Sequence, residues 1–200
     1  MTGEEILAYG EELIDDTFGS TDYIMMNIAY REVLAERPWR FLVKWYESQD
    51  FSSQVTLPAD FNSTLPDEEG HGHLFVGTPN NKYLEIDIKK KIDYENTTGF
   101  FYIDRANNKI VFTGNAVDSG KVKLPYIFDP DDITETTSPT FGFKKGFQPI
   151  IAYKMAALYP ITEQEEKARS YRPENQAEYD KLFNLMILDD ANQTEYATHR

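Results

Sequence analysis

Two hundred residues carry 34 Asp and Glu against 20 Lys and Arg, a net charge of −14, and no cysteine. Disulfides, thiolate nucleophiles and Cys-ligated zinc are therefore excluded, and so acidic a chain is not expected to hold nucleic acid, because phosphate neutralisation needs clustered Lys and Arg. No apolar run approaches the ~20 residues of a membrane helix, and the opening MTGEEILAYGEELIDD lacks the basic and apolar regions of a signal peptide.

Thr2 with Glu5 three residues on is a capping-box pattern. Ile6, Leu7, Leu13 and Ile14 follow at helical spacing, which predicts a helix over 3–16, broken by Gly19 and Ser20. A second helix, cappable by Thr21, has Ile24, Met25, Ile28, Ala29 and Val33 as its apolar face, and Pro38 ends it. Just past that break stand the only two tryptophans, Trp39 and Trp45, around Phe41-Leu42-Val43.

The period then shortens toward two. The stretch from Pro58 to Gly72 reads as a long exposed acidic loop. NKYLEIDIKK is expected as a strand with Leu84, Ile86 and Ile88 on one face. Two β runs are expected to meet at Ala106-Asn107-Asn108, where Asn tolerates the positive φ of a tight turn. GKVKLPYIF alternates again, with Val122, Leu124 and Tyr126 inward, so these strands read as antiparallel with one solvated face.

After Pro139 the helical period returns. Ile150, Ile151, Met155, Ala156 and Leu158 form an apolar face ended by Pro160. Pro173 suits the first turn of a last helix bearing Ala177, Tyr179, Leu182, Phe183, Met186 and Ile187. Residues 189–200 have little to bury and read as a tail. The expected fold is α+β: a four-helix bundle from the N- and C-terminal helix pairs, residues 1–40 and 140–190, with an antiparallel β insertion over 41–139.

Chemistry-bearing constellations are sparse. His71-Gly72-His73, downstream of Asp67, Glu68 and Glu69, is the best metal-like cluster, and it equally suits a solvated Gly-rich loop. The carboxylate pairs Asp15-Asp16, Asp131-Asp132 and Asp189-Asp190 fall at helix ends or in loops, where they serve as caps as readily as acid/base groups. There is no G-x-S-x-G, P-loop or dinucleotide fingerprint. No enzyme and no cofactor are expected. Tyr83, Tyr94 and Tyr102 could form a sugar-binding sheet face or simply pack within it.

The phrases MMNIAYREVLAERPWRFLVK, SQVTLPADFNSTL, FYIDRANNKIVF, VKLPYIFDPDDIT and GFQPIIAYKMAALY, in that order, resemble the head-to-tail adaptor (connector) proteins of tailed bacteriophages over residues 2–190. These are turn and core patterns, with no catalytic residues to carry over. The resemblance implies a virion protein made in the host cytoplasm. It would form a homo-oligomeric ring of about a dozen copies, docked under the portal protein and joined to a tail or nozzle protein, with genomic DNA passing through unbound. It also implies a C-terminal segment that reaches the portal, here Asp189, Asp190, Gln193, Tyr196 and Arg200. In such a ring Trp39, Phe41, Val43 and Trp45 would be an apolar hinge between helical and β layers, with both tryptophans buried. Channel-facing carboxylates would come from Glu11, Glu12, Asp15 and Asp16 or from Asp67, Glu68 and Glu69, because residues 1–30 hold seven acidic side chains and no basic one, and 45–81 hold six and none. The alternative reading is a metal- or glycan-binding module of a phage tail component.

Overall fold

A computed structural model describes residues 1–15, 17–19, 22–48, 53–77, 81–114, 121–139, 143–158 and 165–192. The chain forms two compact units, Met1–Phe41 with Pro130–Arg200, and Leu42–Asp129.

The helical unit contains α1 (Gly3–Ile14), α2 (Asp22–Ala35), α3 (Pro149–Leu158) and α4 (Glu165–Asn192). The capping box starts α1: the Thr2 hydroxyl accepts from the Glu5 amide while Glu5 reaches back to the Thr2 amide. Asp15, in the left-handed region at φ 53°, closes the helix through its own N–H to the Glu11 carbonyl. The expected four-helix bundle framing an inserted domain is not what forms. Instead α3 packs against each of the other three helices. The reason lies in its sequence: Ile150, Ile151, Ala152, Met155 and Ala156 are all buried, covering far more than one stripe, so α3 suits a centre rather than a bundle corner.

Residues 130–137, expected within the β insertion, belong to this unit. The Gly3 amide donates to the Thr134 and Thr137 carbonyls and the Glu4 amide to the Glu135 carbonyl, satisfying the free end of α1. A Cβ at Gly3 would come within 2.2 Å of the Thr134 oxygen, so only glycine permits this approach. Asn27 fastens the strap to α2, donating to the Ile133 carbonyl at 2.9 Å and accepting from its amide at 2.7 Å. α4 runs through Pro173 rather than starting there, at the expense of one helical hydrogen bond. It continues to Asn192, so residues 189–192 of the expected tail are helical, and 193–200 lie outside the described residues.

The other unit is one curled, half-barrel sheet of β1 (Val43–Glu47), β2 (Gln54–Thr56), β3 (Phe61–Thr64), β4 (His73–Val76), β5 (Asn81–Glu85), β6 (Phe100–Asp104), β7 (Lys109–Phe112) and β8 (Val122–Phe128). The strand order is β1-β8-β4-β5-β6-β7-β2, with β3 also on β8. Seven residues long, β8 is served on one side by β1 and on the other by two short strands, β4 at Val122–Lys123 and β3 at Tyr126–Phe128. The sheet is mixed, not antiparallel throughout: β5 and β6 run parallel. Asp87 explains why β5 stops at Glu85 despite the alternation through Lys90. Its carboxylate accepts from the Lys89 amide at 2.9 Å and caps a 3-10 turn over Ile88–Lys90. The inward side of β5 is also the reverse of that expected, since Tyr83 is buried and Leu84 partly exposed. The turn at 106–108 forms with Asn108 at φ 54°, joining β6 to β7.

Candidate functional site

The expected hinge divides between the units. Trp39 is fully buried in the helical unit, where its Nε1 donates to the Val33 carbonyl at 3.1 Å. Its ring stacks on Phe41 at 5.7 Å and meets Phe183 of α4 edge-on at 5.5 Å. Phe41 in turn meets Phe143 edge-on at 5.8 Å. Val43 and Trp45 lie on β1. Register places them on the sheet face shared with Ile127, Pro125 and Phe75, opposite to Leu124 and Tyr126. Trp45 is 45% exposed, contrary to the expectation of burial, and stacks on Phe75 at 6.4 Å.

Beside the Trp39 cluster lies a side chain that propensity and charge concealed. Asp190 is 1% exposed. It accepts from the Arg40 amide at 2.8 Å and from Arg37 Nη2 at 3.4 Å. The Arg37 guanidinium also covers the Trp39 ring at 5.2 Å. The carboxylate thereby bolts the last turn of α4 to the chain leaving α2. Its signal was its spacing: Tyr179, Phe183, Met186 and Asp190 follow one helical stripe. Asp189 pairs with Lys144. Both aspartates thus have partners within the subunit, and Gln193, Tyr196 and Arg200 lie outside the described residues. The space among Phe41, Phe143, Phe147, Met186 and Asp190 is about 10 Å³, room for one water but not for a substrate.

The acidic stretch at 58–72 is more ordered than a loop. It contains β3, and Asp67 organises the turn that follows. Its carboxylate accepts from the Glu69 amide at 3.0 Å, the His71 amide at 2.9 Å and Lys82 Nζ at 2.5 Å. The Lys82 hydrogen bond, followed by the His71 amide, holds the Asp67 pKa down at about 2. Asp67 is thus a paired turn-former. Glu68 and Glu69 are exposed, Glu69 3.7 Å from His71 Nδ1. Glu11 accepts from the Phe18 amide at 2.9 Å and Glu12 is exposed, while Asp16 is outside the described residues.

His71 is exposed, whereas His73 starts β4 edge-on to Phe75 at 5.3 Å. Burial, and then the Lys82 cation, lower the His73 pKa below the ordinary histidine value. No group of three His, Asp or Glu that could hold a metal occurs among the described residues. The tyrosine platform is not assembled either: Tyr83 is buried against Phe112, and Tyr94 packs on Phe100 at 4.7 Å. Tyr102 remains partly exposed on β6. The aromatic surface that does form is Trp45 on Phe75.

One further polar cluster escaped the sequence reading. The Tyr126 hydroxyl donates to Asp60 at 2.8 Å, and Lys44 Nζ lies 2.6 Å from the same carboxylate and 4.0 Å above the Phe128 ring. Burial, then the bond to Asp60, raises the Tyr126 pKa well above the ordinary tyrosine value. A phenol this hard to ionise, bonded to an already paired carboxylate, ties the β3 entry to β8 and is poorly suited to proton transfer at neutral pH.

No described helix is long and apolar enough to cross a membrane. No protein-family model matches this chain, and a search of curated proteins finds no match.

Proposed function

We propose that this chain is the subunit of a phage head-to-tail adaptor ring, docked under a portal and forming part of the passage for DNA. One observation supports the reading: the phrases that resemble that family fall on regular elements of this fold. MMNIAYREVLA lies on α2, the aromatic run leads through Trp39 into β1, and FYIDRANNKIVF covers the β6–β7 hairpin. VKLPYIF is β8, and PIIAYKMAAL is α3. The net charge of −14 agrees with it, because carboxylates offer passing phosphates no partner. The reading needs no catalytic group.

The test is reconstitution with the portal protein encoded in the same genome. A ring of this chain seated on one end of the portal, seen by electron microscopy, is the expected result. Failure of purified chain to bind portal rings in any stoichiometry would refute it. The alternative, a glycan-binding tail module, now rests on the exposed Trp45 stacked on Phe75 rather than on the three tyrosines. A glycan-array screen in which wild type binds and Trp45→Ala does not would favour it.

A further inference from the structure

We infer that the Ile88–Ile92 loop is a docking element for a second copy of this chain, seated on the Ile24–Ile28 stripe of α2 and the acidic strap beside it. This rests on the ring reading only for how many copies join; the contact itself is argued from complementarity.

The loop is the connection between the parallel strands β5 and β6, a place usually filled by a packed helix. Here it is a 3-10 turn followed by further turns. Ile88 is 41% exposed and Ile92 75%. Between them stand Lys89, Lys90 and Lys91, all exposed and none in an ion pair among the described residues. Three successive cations between two bare isoleucines are anomalous in a protein of net charge −14. Asp87 and Asp93 flank this run and Lys91 acts on Asp104, so the excess of cations is confined to 88–92. An apolar side chain left this open is inexpensive alone, but exposed isoleucines on both sides of a run of cations mark an interaction surface.

A surface of opposite character exists on the helical unit. Ile24 and Ile28, one turn apart on the outer face of α2, are 66% and 49% exposed. The neighbouring ridge of that helix carries Asn27 and Arg31. Asn27 holds the Ile133 backbone, and Arg31 pairs with Asp132 at 2.9 Å. Asp131, Asp132 and Glu135 of the strap are therefore alongside the isoleucine stripe and exposed. Of these, Glu135 is felt locally: the Tyr23 pKa is raised by burial, then by Glu135 and by Glu4 of α1.

Each surface repels its own kind and complements the other: isoleucines four residues apart with lysines meet isoleucines four residues apart with carboxylates. The contact is heterologous. It links copies head to tail, giving a ring if the rotation closes and a filament if it does not.

The test uses the whole chain, measuring mass by light scattering at high micromolar concentration in ~0.15 M salt. Wild type should form multimers whose mass falls as salt rises. Ile92→Asp on the loop and Ile24→Asp on α2 should each weaken self-association by at least about tenfold. Both sites are exposed, so circular dichroism should be unchanged. Mixing the two variants should restore one intact contact and stop at a one-to-one dimer. A monomeric wild type, a variant that assembles as well as wild type, or a mixture that stays monomeric would each overturn the inference. Binding of monomeric wild type to anionic vesicles would reassign the loop to lipid and overturn it as well. Multimers that ignore portal rings would instead sink the adaptor reading and leave this contact standing.

Discussion

Replacing Asp190 by alanine should destabilise the helical unit although it removes only three heavy atoms. The carboxylate is 1% exposed, so its contacts are made in place of water. The bond from the Arg40 amide is short at 2.8 Å and charge-assisted; such bonds contribute ~1.5–3 kcal/mol. The Arg37 contact is longer, 3.4 Å, and the arginine side chain is 33% exposed, so it ranks with surface pairs at ~1 kcal/mol or less. Together the loss is ~2–4 kcal/mol. For a chain of this length each kcal/mol moves the unfolding midpoint by ~2–4 °C, so a drop on the order of 10 °C is expected.

Thermal and urea unfolding followed by circular dichroism read this directly. Two truncations sharpen the test. Ending the chain after Asn192 should leave the melt unchanged, whereas ending it after Leu188 removes Asp190 and should cost at least as much as Asp190→Ala. If Asp190→Ala melts with wild type, or the Leu188 truncation is neutral, the carboxylate is a passenger and the reasoning fails.

The tryptophans should behave oppositely. Trp39→Ala is expected to cost ~3–5 kcal/mol and Trp45→Ala well under that, while a Trp45→Phe protein should emit blue-shifted fluorescence and a Trp39→Phe protein red-shifted fluorescence. Asp67, with its folded pKa held at about 2, stabilises the 67–71 turn above the ordinary carboxylate pKa of ~3.9, and that stability is lost as the pH falls through 2. Its carboxyl carbon should titrate near 2 by NMR, and a value near 4 would deny the Lys82 and amide contacts. Duplex DNA should show no appreciable affinity at physiological salt, and tight binding with a steep negative salt slope would contradict the channel reading. Zinc added to the protein should leave the melt unshifted, since His71 and His73 have no third ligand among the described residues.

Local signals were legible and long-range ones were not. The capping box at Thr2 and Glu5 and the Asn108 turn each depend on residues within a few positions of one another. The α2 face was read only in part: Ala29 and Val33 are buried as expected, but Ile24 and Ile28 are exposed and Met26, Tyr30 and Leu34 take the core side. The misreadings have both local causes and causes in partners distant along the chain. The β5 alternation pointed one way, yet Asp87 closed the strand early and the sheet took Tyr83 inward against Phe112. β3 looked like loop because Asn62 and Ser63 are poor strand formers; it is held by pairing with β8, more than sixty residues away. Trp45 was assigned to the core by its place beyond Pro38 and the Phe41-Leu42-Val43 run, whereas its β1 register put it with Phe75 on the more exposed side. Asp190 was assigned to solvent by charge, whereas helical spacing put it on the buried stripe of α4.

The acidic surface and the lysine loop bear on one another. Of the seven carboxylates suggested for a channel, Asp67 is paired with Lys82 and Glu11 holds the Phe18 amide, while Asp15 is the left-handed cap of α1. In the proposed adaptor, repulsion of DNA would not depend on any of them singly. It would arise from the summed charge, acting over a Debye length of ~8 Å at physiological salt. A summed field has weak points where its sign reverses, and Lys89-Lys90-Lys91 is the sharpest run of cations in this sequence. Left bare in a ring through which DNA slides, three neighbouring ammonium groups would gain phosphate contacts and counterion release at each pass. Seated against Asp131 and Glu135 of the next copy, they would be neutralised, and the isoleucines on both sides would leave water together. The same contact proposed to join the copies would then remove the surface most able to hold the DNA back.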